Sequence, residues 1–149
     1  MDKSSTQHQD LLERVLEHHS LSLAEVEKLT RIEFPKGTRL LNAERVVWQE
    51  EVLYVKLQMS EVAKEQFLNS PRFAGKFSDT DTRGVRNNLG WPVRWLSWWN
   101  PNAVESFLAA EDTVSMAADG SEVTKVLISY DSARKGTYLV YLYWVHLRH

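Results

Sequence analysis

Four of the six tryptophans fall within ten residues, 91–100 (WPVRWLSWWN), and Pro101 follows at once. Trp91, Trp95, Trp98 and Trp99 share this stretch with Arg94. Indole brings a large apolar area and one N–H donor, and arginine brings a planar fork of donors. The segment therefore has the chemistry of a binding anchor as much as that of a core plug. On extended backbone Trp91, Trp95 and Trp99 face one way, with Val93, while Trp98, Arg94 and Leu96 face the other. On helical backbone Trp91, Trp95, Trp98 and Trp99 form one stripe. Either way at least two rings are expected to plug against a sheet, and one exposed ring beside Arg94 is a hot-spot candidate.

The charge is uneven along the chain. Residues 71–99 carry Arg72, Lys76, Arg83, Arg86 and Arg94 against Asp79 and Asp81, whereas residues 1–34 carry seven acidic groups and four basic ones. Three chemistries fit such a segment. Arginine can donate two parallel hydrogen bonds to a carboxylate on an acidic partner protein. Basic groups interleaved with Phe73, Phe77, Trp91 and Trp95 can stack single-stranded nucleic acid. The arginines can also simply pair with the protein's own acidic helices. The candidate binding set is Arg72, Arg83, Arg86, Trp91, Arg94, Trp95 and Trp98. A formal net charge of −2 weighs against nucleic acid.

Other chemistries find little support. With no cysteine, disulfides, zinc–thiolate sites and thiol nucleophiles are excluded. No Gly-x-Ser-x-Gly elbow, Ser-x-x-Lys motif, Walker loop or dinucleotide fingerprint is present. Asp79-Thr80-Asp81-Thr82-Arg83-Gly84 resembles the start of a calcium loop. Arg83 stands where an acidic ligand belongs, however, and Gly90 where the bidentate glutamate should be. His18 and His19 are adjacent on an expected helix and cannot grip one metal together. Glu50-Glu51 and Glu111-Asp112 read as solvated turn or helix-end charges. No catalytic residue, metal ligand or cofactor is assigned. The N-terminus lacks an apolar leader and no run is long enough to span a bilayer, so a soluble, cytoplasmic protein without a membrane partner is expected.

The elements that must position these residues follow from periodicity. Residues 6–19 read as a helix, and Ser22 with Glu25 forms a capping box for a second one. Residues 39–48 and 51–59 alternate as a hairpin, with Leu53, Val55, Leu57 and Met59 on one face. Ser60 caps a short helix carrying Val62, Phe67 and Leu68, which stops at Ser70-Pro71. Residues 72–90 have no period. Asn100-Pro101 opens a helix to about residue 110 that buries Val104, Phe107 and Leu108. Residues 123–130 and 137–146 make a second hairpin, whose last strand is apolar on both faces and so belongs in the middle of its sheet. The expected core includes Leu53, Val55, Leu57, Val126, Ile128, Val140, Leu142 and Trp144.

The expected fold class is α+β: an antiparallel four-stranded sheet of two hairpins, with helices on one side and two N-terminal helices. At 149 residues the chain reads as one domain, a helical element over 1–33 and an α+β core over 34–149. FPKGTRLL (34–41), WWNPNAVESF (98–107) and LVYLYW (139–144) together resemble a small, uncharacterised bacterial α+β domain family. The resemblance implies one compact domain of bacterial type and assigns no catalytic residue. The helices before Phe34 depart from it and read as an added interaction element. The first functional expectation is a non-catalytic protein-binding module in the style of bacterial immunity proteins, meeting an acidic surface on a partner. The alternative is a small enzyme or ligand-binding protein with a Trp/Arg-lined pocket for an anionic ligand. A single-stranded nucleic-acid binder comes third. A concave pocket with converging polar groups would favour the ligand reading, and a flat apolar patch the partner reading.

Overall fold

A computed structural model describes residues 17–47, 50–80, 96–104, 106–115 and 120–147. In chain order these form β1 (Glu17–Ser20), α1 (Leu23–Thr30), β2 (Thr38–Val47), β3 (Glu51–Ser60), α2 (Glu61–Leu68), a 3-10 turn (Pro101–Ala103), β4 (Leu108–Ser115), β5 (Ser121–Tyr130) and β6 (Thr137–Leu147). The strands make one six-stranded sheet in the order β1-β2-β3-β6-β5-β4. Every pairing is antiparallel.

The expected four-stranded sheet with helices on one side is therefore incorrect. The two hairpins do pair internally, and β3 and β6 join them, but two strands extend the sheet at its ends. Residues 17–19, expected as the end of a helix, belong with Ser20 to β1, which pairs with Val47 to Glu44 of β2. The rest of that expected helix, over residues 6–16, lies outside the described residues. The helix expected from Asn100 to residue 110 is only the 3-10 turn, after which the chain enters β4. Val104 and Phe107 are half-buried and Leu108 is exposed, so none has the buried place expected of it. The physical reason is pairing. A stretch rich in alanine and acidic residues favours helix weakly, and a full register from Leu108↔Ile128 to Ser115↔Ser121 overrides it.

Strict alternation gives the sheet two apolar faces. Leu53, Val55, Leu57 and Met59 of β3, Val126 and Ile128 of β5, and Val140, Leu142 and Trp144 of β6 form the first. Helices α1 and α2 add Val26, Ala63 and Phe67, and Phe73 closes the cluster. Phe67 lies between Phe34, Phe73 and Phe77 at centroid distances of 5.9, 5.2 and 6.2 Å. Helix α1 begins at the expected capping box: Ser22 Oγ accepts from Glu25 N–H, and the Glu25 carboxylate accepts from Ser22 N–H. Val62 of α2 faces solvent.

The turn into β2 depends on Gly37, whose φ of +98° is left-handed. A Cβ there would stand 2.7 Å from Ser60 Oγ. That hydroxyl caps α2 by accepting from Ala63 N–H. Gly37→Ala combines backbone strain with loss of the cap. We expect destabilisation of about 2–3 kcal/mol, readable as a lower denaturation midpoint. Ser60→Ala alone should cost about 1 kcal/mol.

Candidate functional site

The second face of the sheet is built from Val46 of β2, Tyr54 of β3, Leu127 of β5 and Tyr141 of β6. The segment 96–104 folds over it. Leu96 and Trp99 are buried there, and Trp99 meets Tyr54 at 5.1 Å and Tyr141 at 5.4 Å, both edge-on. The expectation that part of the tryptophan run plugs against the sheet is met at Trp99. Trp98 is half-buried and packs edge-on against Trp99 at 6.0 Å.

Beyond Trp99 this cover stops short of the β5–β6 turn and leaves a cleft of about 610 Å³. Its walls come from β3, the 3-10 turn, and the facing ends of β5 and β6. Register places its polar groups. Lys56 stands directly opposite Tyr141, and Gln58 opposite Leu139. The Lys56 ammonium lies 5.2 Å from the Tyr141 ring centroid. It donates to Trp98 O and to Asn100 Oδ1, both at 3.4 Å, which is long for such bonds. Tyr141 O–H donates to the same Asn100 oxygen. Asp131, the first residue of the β5–β6 turn, also lines the cleft.

Electrostatics set this cleft apart. Among the described residues no carboxylate lies within ion-pair reach of Lys56, while Arg31, Arg45, Lys64, Arg72 and Lys76 each have one. Burial lowers the Lys56 pKa below the ordinary lysine value, and the more distant Asp131 charge opposes that shift. Burial pushes the Tyr141 phenol up to about 12, so it stays protonated and remains a donor at neutral pH. Tyr143 is likewise raised to about 12 by burial.

The proposed binding residues fall as follows. Arg72 sits on the opposite face, where its guanidinium donates to Asp112 Oδ2 at 2.7 Å, Thr30 O at 2.7 Å and Thr124 Oγ1 at 3.2 Å. Trp98 offers only its carbonyl, which accepts from Lys56. Arg83, Arg86, Trp91, Arg94 and Trp95 lie outside the described residues. Sequence reasoning missed Lys56, Asn100, Asp131 and Tyr141 as a group. Lys56 read as a solvent-side strand residue, Asn100 as a helix cap, Asp131 as a turn former and Tyr141 as part of an apolar strand. The pairing of β3 with β6 was the missing signal, since it alone brings Lys56 to Tyr141.

Among the described residues no group of three or more His, Asp or Glu could hold a metal ion, and no helix is long and apolar enough to cross a membrane. Comparison with known proteins finds no matching family model, no matching curated protein and no matching solved structure. The functional reading therefore rests on the site alone.

Proposed function

We propose that this protein binds a small ligand in the Lys56–Asn100–Tyr141 cleft, and that the ligand brings an anionic group to Lys56. One observation carries the reading: a half-buried ammonium opens onto a concave cleft with no carboxylate in reach. Taking a cation from water without a counter-charge is unfavourable. A ligand carboxylate or phosphate at Lys56 would offset that penalty. The volume of about 610 Å³ is of small-molecule size. Leu139, Val104 and the Tyr141 ring supply apolar lining, while Asn100 fixes orientation. This is the concave arrangement that favours a ligand over a flat contact.

Lys56→Met tests it, because methionine keeps much of the aliphatic stem and removes the charge. Acetate, benzoate, succinate and phosphate serve as probes, with thermal unfolding and tryptophan emission as readouts. At least one anion should raise the melting temperature by about 2–5 °C when well above its Kd. The same anion should leave the Lys56→Met protein unshifted. Equal shifts in both proteins, or none in the wild type, refute the reading.

A second reading keeps the tryptophan segment as a contact for an acidic partner protein. What favours it is Trp98, which is half-buried and backed by the rigid Trp99 ring. It predicts that Trp98→Ala weakens a partner's binding by about tenfold or more while leaving the anion response of the cleft intact.

A further inference from the structure

The cleft carries a second charge. Asp131 is 8% exposed and lines the same cleft as Lys56. Its Oδ1 accepts from Ala133 N–H at 3.0 Å, and its Oδ2 accepts from Gln58 Nε2 at 3.3 Å and Thr137 Oγ1 at 3.4 Å. All three donors are neutral, and two of the bonds are long. A carboxylate has about four acceptor positions, so at least one remains. Among the described residues no lysine or arginine lies within ion-pair reach of Asp131. The cleft thus holds one cation and one anion that do not neutralise each other by contact.

From this we infer that the ligand is a small zwitterion of the amino-acid class, with its carboxylate at Lys56 and its ammonium at Asp131. The inference rests on the anionic-ligand reading and narrows it. A simple anion at Lys56 would meet the Asp131 charge, and a simple cation at Asp131 would meet Lys56. A molecule bearing both charges turns each repulsion into an attraction. Lys56 and Gln58 lie two residues apart on the same face of β3, and the Gln58 amide donates to Asp131, so both charges border one cleft. Leu139, Val104 and the Tyr141 ring would take an apolar or aromatic side chain.

Matched ligands test this on the unaltered protein. Calorimetric titrations would compare phenylalanine with hydrocinnamate and phenethylamine, and leucine with isocaproate and isopentylamine. Each set shares a body and differs only in its charges. At least one amino acid should bind about tenfold or more tighter than both its deaminated acid and its decarboxylated amine. In Asp131→Asn the amino acid and its acid should converge. If the acid binds as tightly as the amino acid, the zwitterion is wrong while the anionic-ligand reading stands. If the amine alone binds, both readings fall. If no compound in either set binds, the inference is overturned, and the acetate-to-phosphate panel decides the broader reading. Asp131→Asn also loosens the β5–β6 turn, so the comparison on the wild-type protein decides on its own.

Discussion

Asp112→Ala should remove about 3 kcal/mol of folding stability, among the largest losses available to a single substitution here. Asp112 sits on β4 with its side chain 9% exposed. It accepts from Arg72 at 2.7 Å and from Lys76 as well. Arg72 meanwhile donates to the last carbonyl of α1, Thr30 O, and to Thr124 on β5. One carboxylate thereby joins the segment after α2, the end of α1 and two strands. Removing it leaves two cations facing each other. Lys76 is 43% exposed and can turn to water, which keeps the expected loss at the lower end of the range for broken buried pairs. Arg72 is 20% exposed and has no such escape. Chemical denaturation of Asp112→Ala, Arg72→Ala and the double variant measures the coupling between the two residues. Additive losses would show that the pair contributes nothing beyond its separate packing.

The same carboxylate makes stability depend on pH. Burial raises the Asp112 pKa, but hydrogen bonds and charge from Lys76 and Arg72 outweigh burial, and the net shift is downward. The folded chain thus holds this proton less tightly than the unfolded one. The stabilisation is present above the unfolded value of about 3.9 and is lost as pH falls through the lower folded value. The Asp112→Ala protein should show a flatter acid limb in that window than the wild type.

The sheet was legible where the sequence alternates and hidden where it does not. In β3 Leu53, Val55, Leu57 and Met59 alternate with Tyr54, Lys56 and Gln58, and β6 is apolar on both faces. The eight expected core residues Leu53, Val55, Leu57, Val126, Ile128, Val140, Leu142 and Trp144 are all buried. The two-sided apolarity of residues 137–146 pointed to a central strand, and β6 does lie between β3 and β5. Strand β4 gave no such signal. Its sequence LAAEDTVS mixes helix formers with a charge that belongs inside, and Asp112 is buried only because Arg72 and Lys76 come to it from 40 and 36 residues away. Strand β1 is four residues long and shows no alternation. Its identity comes from its neighbour.

The candidate site was less legible, for a related reason. Its members lie at positions 56, 100, 131 and 141, and no local spacing connects them. Lys56 on a strand's polar side is an ordinary surface residue until segment 96–104 folds across it. The tryptophans drew attention to that segment through their area. Their role in the described structure is to hold it down: Trp99 wedges against Tyr54 and Tyr141, and this leaves Asn100 and Trp98 O beside Lys56.

Leu57→Ala should cost about 2–5 kcal/mol, a large fraction of a domain's total. Leu57 is fully buried on β3, opposite Leu40 on one side and Val140 on the other. It has sheet neighbours on both sides and belongs to the cluster that α1 and α2 cover, so the site cannot collapse by moving one element. A retained cavity adds to the lost transfer free energy, which places the loss toward the upper half of the range. Val62→Ala is the matched control. Val62 is 65% exposed on α2, and its truncation should change stability by about 0.5 kcal/mol or less. Leu57 also shares its strand with Lys56, whose side chain points to the opposite face. The two substitutions should therefore separate cleanly: Leu57→Ala lowers the denaturation midpoint while the folded fraction still responds to ligand, and Lys56→Met abolishes that response at a nearly unchanged midpoint. A Leu57→Ala loss below about 0.5 kcal/mol would place Leu57 at the surface and refute the packing described for this face.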